Sequence, residues 1–545
     1  MAGITVIALV LFAVAWLDLV VASWFFTSIG LFVLAVVLPL AVLLFLYVRV
    51  RSRQPAAVNT GWRLGNALEI TNPDKPAFVQ NAQIPAAILR LGLMALGGPG
   101  SGKTESVLLG YLKALPEHAP GSGVAVFEGK GDIDIYKKCV AMGCPPDHFF
   151  STELPGSATL NLMQGEAHDV LDRLTRLLIG QTVLTSYYAD AQRAVLATVI
   201  PLLTGINVSV NLRDLYAALA IPDAGVELIR RARDARIDAA VIALAEQWYQ
   251  QKAETRIAEI RGLLNKLFIF CHGPYTDRLN AYQPDINISV AVQTRERLYF
   301  HLPLSEFSRD VAIAIIDMFG VEARRRQLAG AEQFSLYPLI LDDWGGFFHD
   351  GFGPFSARCR SAAMPLSFSF QSLAQVKAVS QTFADELDDN LATKIILRVQ
   401  GEDTAAFALR LLGDYDAFEV STSQLAERAG TALGVSQRAR LNARELRELA
   451  EGEAYVSTLI RDGSRMINPL WRVRLPRPAF DHWQAVTLPP ARSHAQGTGL
   501  GLWQRYIDSV SPVLTSKVMP AAPRKTPNNK PALAGGAEDF EVIEL

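Results

Sequence analysis

The chain has 545 residues, of which half are hydrophobic, and its formal net charge is −2. The length excludes a single small domain and indicates two or three folded units. The balanced charge excludes a global basic field, so any contact with nucleic acid must use a local surface. The four cysteines do not have the close spacing of a zinc site, and we interpret them as reduced thiols.

Two apolar stretches, Ile4–Val21 and Ile29–Val48, open the chain, and each approaches the length of a bilayer span. A cleaved signal peptide is the competing interpretation of the first stretch. That stretch has no basic n-region, however, and it leads into a second apolar stretch. Three arginines follow the second stretch, namely Arg49, Arg51 and Arg53. By the positive-inside rule, we predict a two-helix membrane anchor over residues 1–53, with the N-terminus and the bulk of the chain in the cytoplasm.

A glycine-rich stretch then matches the phosphate-loop pattern GxxxxGK[ST], with the residues Gly97, Gly98, Pro99, Gly100, Ser101, Gly102, Lys103 and Thr104. The apolar run Leu91–Leu96 precedes it, and the pattern of Glu105–Ala114 predicts a helix. In such a setting, backbone N–H groups and a helix N-terminus bind phosphate. We expect Lys103 to neutralise the β- and γ-phosphates and the Thr104 hydroxyl to hold Mg²⁺. The alternative is a glycine-rich turn that carries Lys-Thr by chance.

Strand and helix patterns alternate after this loop. Residues 123–127 (GVAVF) predict a buried strand, which a Gly-rich turn and a helix over Asp134–Met142 follow, and His148–Ser151 predicts a further short strand. From residue 165 to 271 the apolar residues have helical spacing and the charges are dense, which indicates an inserted all-α domain. Its basic cluster is interpreted as a solvated helix face, and a nucleic-acid contact is the alternative.

The strand pattern returns after the helical segment. Strands are predicted at Leu298–Leu304, Tyr337–Leu341, Leu366–Phe370, Lys394–Val399 and Ala454–Ile460, and helices over Phe307–Arg326 and Ala443–Ala450. We therefore predict an α/β fold with a doubly wound sheet, formed by residues 54–164 and 272–488 around the insertion. Residues 489–545 are expected to be a flexible tail with an acidic end. That end is either inert or a docking peptide for a partner, and the sequence leaves both open.

Carboxylates and an amide follow two of the later strands. Apolar residues 339–341 end in Asp342 and Asp343, which has the form of a Walker B strand. Asp342 is the candidate on the metal side, and Asp343 would polarise the attacking water. Gln371 stands at the tip of the next strand, where an amide can sense the γ-phosphate or place the water. A strand-end hydrogen bonder is the alternative for Gln371, and spacing alone favours it.

The order of these features resembles the type IV coupling proteins, the TraD/TraG-like ATPases of conjugation and type IV secretion. The resemblance rests on two membrane segments, the phosphate loop, FEGKGD (127–132), LILDDWGGF (339–347) and SFSFQSLAQV (367–376). It covers most of residues 1–480 and includes the helical insertion. It implies a RecA-like P-loop NTPase domain that binds ATP with Mg²⁺, anchored in a bacterial inner membrane and assembled as a homo-hexamer.

The resemblance also assigns roles to single residues. It implies that Lys103 and Thr104 bind ATP and Mg²⁺, that Asp342 and Asp343 are the Walker B pair, and that Gln371 belongs to a strand-end sensor. It further implies that Arg360 is a candidate finger that reaches the nucleotide of a neighbouring subunit, and that Lys130 matches the lysine of the family's Asp-x-Lys-Gly turn. Two residues depart from the family pattern: Asp343 stands where the family usually has Glu, and Glu128 where it usually has Asp.

The function implied is recruitment of DNA with its relaxase, or of effector proteins, to a type IV secretion channel, driven by ATP hydrolysis. An FtsK-like DNA translocase is one alternative, but that group usually has more membrane spans and a C-terminal winged-helix module. A substrate receptor that binds nucleotide without motor activity is another alternative, and Asp343 keeps it open. The sequence does not choose between DNA and protein as substrate, and it does not identify the residues that line a channel.

Overall fold

The structure is a computed structural model, and it describes residues 14–23, 61–180, 187–380, 382–425, 428–462, 464–492 and 497–516. The chain divides into two compact units. The first contains Met1–Asp147, Thr294–Tyr299 and Ala323–Thr487. The second contains His148–Gln293, Phe300–Glu322 and Leu488–Leu545.

The predicted membrane spans lie largely outside the described residues. Of the first 60 residues, only 14–23 are described, and they are helical and exposed. Within the described parts of the chain, no helix has both the length and the apolar character that crossing a membrane requires.

The strands, in chain order, are β1 (Gly61–Glu69), β2 (Ala77–Pro85), β3 (Leu93–Leu96), β4 (Val124–Glu128), β5 (His148–Ser151), β6 (Arg297–His301), β7 (Leu339–Asp342), β8 (Leu366–Phe370), β9 (Thr393–Ile396), β10 (Asp414–Leu425), β11 (Arg428–Ala439), β12 (Glu453–Thr458), β13 (Ile460–Asp462), β14 (Arg465–Ile467) and β15 (Leu470–Arg474).

The α-helices are α1 (Ala86–Leu89), α2 (Leu109–His118), α3 (Ile133–Ala141), α4 (Ala167–Leu178), α5 (Tyr187–Gly205), α6 (Leu212–Ala220), α7 (Pro222–Asp234), α8 (Ala239–Gln250), α9 (Ala253–Cys271), α10 (Ile288–Thr294), α11 (Glu306–Ala329), α12 (Phe352–Ser361), α13 (Leu373–Lys377), α14 (Phe383–Asn390), α15 (Glu402–Leu412), α16 (Ala443–Arg447) and α17 (Leu502–Ser516). A π-helix spans Lys103–Leu108, and short 3₁₀ turns occur at Thr276–Leu279, Ala331–Gln333, Trp344–Phe347 and Trp483–Ala485.

The first unit is built on a sheet with the strand order β2-β1-β15-β12-β9-β3-β8-β7-β4-β6. In its centre, β3 pairs in parallel with β8 and β9, and β7 pairs in parallel with β4 and β8. Every residue of β3, β7 and β8 is buried, which explains why these strands appear in the sequence as short continuous apolar runs. Parallel strands end at the same edge of a sheet, and this edge is where ligands bind in open α/β folds.

The α/β class predicted from the sequence is confirmed. The strands at His148–Ser151 and Leu366–Phe370 have the predicted bounds, and the other predicted strands lie within a few residues of the observed ones. The helix expected from residue 105 begins as a π-helix at Lys103 and continues as α2 to His118. The sequence patterns did not predict that one side of the sheet is antiparallel, where β15 pairs with β1 and β12. They also missed the two-stranded ribbon of β10 and β11, which lies outside the central sheet.

The second unit is mainly helical. Helices α4 to α9 follow one another between residues 167 and 271, in the segment for which helices were predicted. The compact unit is larger than that segment, since it also contains β5, α10 and residues 488–545. The domain boundaries given above remain a prediction.

The tail prediction needs a correction, because part of residues 489–545 forms helix α17, which packs within the second unit. The Leu502 N–H donates to the Asp214 carboxylate at 2.8 Å, and the Trp503 ring lies 5.8 Å from the Tyr216 ring. Leu502 is buried, and this packing opposes the entropy lost in ordering the segment. Residues 517–545, with the acidic end, lie outside the described residues.

Candidate functional site

A pocket of about 290 Å³ lies in the first unit, around the end of β3 and the residues that follow β4, β7 and β8. It is lined by Pro99, Gly100, Ser101, Gly102, Lys103, Thr104, Glu105, Lys130, Asp132, Ile135, Lys138, Asp342, Asp343, Gln371, Glu451 and Arg477. The parallel register thus brings the glycine-rich loop, the Asp342–Asp343 pair and Gln371 into one pocket.

The loop of residues 97–104 requires glycine at two of these positions. Gly100 has a φ of +66° and Gly102 a φ of +99°, which is left-handed backbone that other residues rarely adopt. A Cβ on Gly102 would also come within 3.1 Å of the Gly452 backbone nitrogen. The Gly452 N–H in turn donates to the Ser101 carbonyl at 3.0 Å. The turn before β12 therefore supports the loop from outside the motif.

Lys103 is buried within the loop, with only 7% of its surface exposed. Its Nζ donates to the Gly97 carbonyl at 2.7 Å and to the Gly98 carbonyl at 3.1 Å. Burial lowers the pKa of Lys103, and the carboxylates of Asp343 and Asp342 oppose this effect. The lysine thus brings a partly desolvated positive charge to the concave side of the loop, where an anionic group gains most from it.

Asp342 connects the phosphate loop to the neighbouring strands. Its Oδ2 accepts a hydrogen bond from the Thr104 hydroxyl at 2.8 Å, and its Oδ1 accepts one from the Ser369 hydroxyl at 2.8 Å. Burial raises the pKa of Asp342, while these two hydrogen bonds lower it. A hydroxyl and a carboxylate in contact are oxygen ligands of the type that Mg²⁺ prefers. Thr104 and Asp342 therefore fit the role of a shared metal site.

Asp343 is held by the predicted sensor residue. The Gln371 Nε2 donates to both carboxylate oxygens of Asp343, at 2.9 and 2.7 Å. The Asp343 N–H donates to the Ser369 hydroxyl at 2.9 Å. Asp343 has a φ of +50°, and Asp is one of the few non-glycine residues that adopt this backbone readily. The shorter carboxylate at this position thus agrees with its backbone conformation.

The turn after β4 places Lys130 on the pocket wall. The buried Glu128 shapes that turn, because its carboxylate accepts hydrogen bonds from the Lys130 N–H at 2.6 Å and the Gly131 N–H at 2.9 Å. Burial raises the pKa of Glu128 to about 7. The Glu128 side chain, which is longer than the Asp usual in the family, thus fixes the backbone of the turn through two hydrogen bonds.

Four basic and five acidic side chains line the pocket. A polyphosphate in this environment needs a divalent cation to offset the acidic groups. The donors of the loop, Lys103 and the Thr104–Asp342 pair fit a nucleotide that carries Mg²⁺. The geometry thus suits phosphoryl chemistry, in which positioning and charge stabilisation do most of the work.

The family model described as the TraM recognition site of TraD and TraG matches residues 344–451. The chain is thus similar to TraD and TraG over residues 344–451. No curated protein matches it. This sequence-level match begins directly after Asp343, and it agrees with the resemblance seen in the motifs.

Solved structures of a bacterial conjugative coupling protein, TrwB, have a similar fold. The truncated form TrwBdeltaN70 in complex with sulphate has a TM-score of 0.52 at 16% identity, over 73% of this chain and 88% of that chain. TrwB in complex with ADP and Mg²⁺ has a TM-score of 0.51 at 14% identity, over 77% of this chain and 96% of that chain. At this identity the similarity concerns the fold.

Arg360 was predicted to reach the nucleotide of a neighbouring subunit. It does not line the pocket of its own chain. It is an exposed residue in the last turn of α12. A role in its own nucleotide site is not supported by this position. A role toward a second copy of this chain stays a prediction.

Several pocket residues were missed by the sequence analysis. Glu105 binds Lys138 at 2.5 Å and also binds Arg477, and Arg477 lies 3.5 Å from Glu451. Of these four residues, only Glu105 could have been assigned to the pocket from the sequence, because it directly follows Thr104 of the phosphate loop. The other three come from α3, from the turn before β12 and from the segment after β15, and only tertiary packing brings them to the loop.

Proposed function

We propose that this TraD/TraG-like chain is an ATPase that couples substrate recruitment to transport through a type IV secretion channel. The observation that carries the proposal is the 2.8 Å hydrogen bond between Thr104 and Asp342, which joins the phosphate loop to the acidic strand end. Support for the nucleotide comes from TrwB, whose similar fold has been solved with ADP and Mg²⁺. The substrates we propose are DNA with its relaxase, or effector proteins.

In this proposal the pocket residues divide the work of hydrolysis. The loop N–H groups and Lys103 bind the triphosphate. Thr104 and Asp342 hold Mg²⁺, which supplies charge neutralisation when bound. Asp343 orients the attacking water and accepts its proton, and Gln371 fixes the carboxylate of Asp343 through two hydrogen bonds. A base held in this way needs little rearrangement when water enters.

We further propose a ring of six copies, in which Arg360 serves a neighbouring site. The support is the exposure of Arg360 on α12, together with its position outside its own pocket. An arginine supplied by another molecule stabilises the transition-state charge and makes hydrolysis depend on assembly. This arrangement suits a motor that turns over only when its subunits are in contact.

The DNA-translocation part of the proposal predicts that DNA stimulates ATP hydrolysis. The full-length protein is assayed with Mg²⁺ and ATP, alone and with single- or double-stranded DNA of random sequence. We expect the rate to rise with DNA and the effect to weaken at high salt, because backbone contacts are electrostatic. Heparin as a polyanion control should not replace DNA. No stimulation by any nucleic acid would contradict DNA as the substrate and favour proteins.

We also propose that residues 1–53 anchor the protein in the bacterial inner membrane. The support is the pair of apolar stretches and the three arginines that follow them. Deletion of residues 1–53 should move the protein from the membrane fraction to the soluble fraction, measured by immunoblot after cell fractionation. Deletion of residues 517–545 is the matched control and should leave the protein in the membrane fraction. Retention of the first variant in the membrane would refute this anchor.

A further inference from the structure

A network of charged side chains forms part of the pocket lining. Its centre is Glu105, which binds Lys138 of α3 at 2.5 Å and Arg477 of the segment after β15. The side chain of Glu105 is only 19% exposed, and that of Lys138 only 14%. Lys138 also lies over the Trp483 ring, 4.9 Å from its centroid. The Glu105 carboxylate is thus fixed between two cations that come from different parts of the first unit.

The network lines the same pocket as the phosphate loop. The phosphate loop, Lys103 and the Asp343–Gln371 pair define where the terminal phosphates bind. Apart from Asp342, the other charged residues of the pocket are Lys130 and Asp132, from the turn after β4, and Glu105 with Lys138, Arg477 and Glu451. Because Glu105 follows the metal-binding threonine directly, it lies where the phosphate chain leads toward the nucleoside.

We propose that Glu105 binds the ribose of the nucleotide, as an acceptor for its hydroxyl groups. This inference rests on the proposed nucleotide-binding function. A carboxylate offers about four lone-pair sites, and the two cations of the network occupy two of them. The remaining acceptor sites suit the neighbouring 2′- and 3′-hydroxyls of a ribose. Lys138 and Arg477 are positioning residues, because they hold the carboxylate and do not themselves need to touch the nucleotide.

The pairing with two cations also makes Glu105 selective. It holds the carboxylate in one orientation before the nucleotide enters, so the hydrogen bonds cost little reorganisation. A nucleotide without one hydroxyl would leave a desolvated acceptor without a partner. Glu451 is a less suitable ribose acceptor, since 63% of its side chain is exposed and its contact with Arg477 is longer, at 3.5 Å.

The test compares the affinity of the full-length protein for ADP, 2′-deoxy-ADP and 3′-deoxy-ADP with Mg²⁺, measured by isothermal titration calorimetry. ADP is used because it binds without turnover. We expect at least one deoxy analogue to bind the unmodified protein about tenfold more weakly than ADP, the usual size of a hydrogen bond to a charged group. The Glu105→Ala variant should bind ADP only as tightly as the unmodified protein binds that analogue. Its affinity for the analogue itself should change little.

Two further variants separate ribose recognition from a purely structural ion network. Glu105→Gln retains an acceptor oxygen and should keep part of the preference for ADP. Glu451→Ala should keep the full preference, and if it removes the preference instead, the inference is overturned. Equal weakening of ADP and its analogues in Glu105→Ala would also overturn it, as would an unmodified protein without preference. If the unmodified protein binds no ADP at all, the proposed function fails as well. Thermal unfolding of each variant checks that it folds.

Discussion

Asp343→Asn is expected to lower kcat for ATP hydrolysis by about 10²- to 10⁴-fold, the range that a general base contributes. Asn keeps the size of the side chain, and its carbonyl oxygen can still accept a hydrogen bond from Gln371. It loses the negative charge and the basicity that activate water. Binding of nucleotide with Mg²⁺ should change little, because Thr104 and Asp342 are untouched. Steady-state kinetics and nucleotide titration measure the two effects separately.

The matched controls for this prediction are Asp343→Glu and Asp342→Asn. Asp343→Glu retains a carboxylate and should keep hydrolysis within about tenfold of the unmodified protein, with the loss coming from the left-handed backbone that Glu adopts less readily. Asp342→Asn should instead weaken the Mg²⁺ dependence of nucleotide binding. Full hydrolysis by Asp343→Asn would show that Asp343 is not the base.

The parts of the site that could be predicted are those encoded by short stretches. The loop of residues 97–104 and the acidic pair Asp342–Asp343 each combine an apolar strand with polar residues at its end. The sensor role of Gln371 could not be predicted from spacing alone, because spacing favours a strand-end hydrogen bonder. The structure shows that it does form such hydrogen bonds, and that its partner is the carboxylate of Asp343.

The parts that could not be predicted depend on contacts between distant segments. Ser369 appears in the sequence as one of the alternating residues of a buried strand, and only the β7–β8 pairing brings its hydroxyl to Asp342. The ion pairs of Glu105 join residues that are up to 372 positions apart. Helix α17 follows a stretch rich in Pro and Gly, and its order comes from aromatic packing on α6 that no local pattern reports.

Lys103→Ala is expected to abolish ATP hydrolysis, with a loss of at least about 10²- to 10³-fold, comparable to removal of a preorganised charge-stabilising donor. The substitution removes the buried ammonium group and leaves the carbonyls of Gly97 and Gly98 without their donor. The loop then lacks the cation that offsets the phosphates. The measurements are ATPase rate in vitro and substrate transfer by cells that express the variant in place of the unmodified protein.

Lys103→Arg is the matched control, because it keeps the positive charge of the side chain but changes the shape of the donor group. The guanidinium keeps the positive charge, but its planar fork does not fit the place of a compact ammonium between two carbonyls, so hydrolysis should remain far below that of the unmodified protein. If Lys103→Ala abolishes both hydrolysis and transfer, the chain is a motor. If it abolishes hydrolysis and leaves transfer intact, the chain is a receptor that binds nucleotide. If both survive, the residues around the phosphate loop do not power transfer, and the proposed function is wrong.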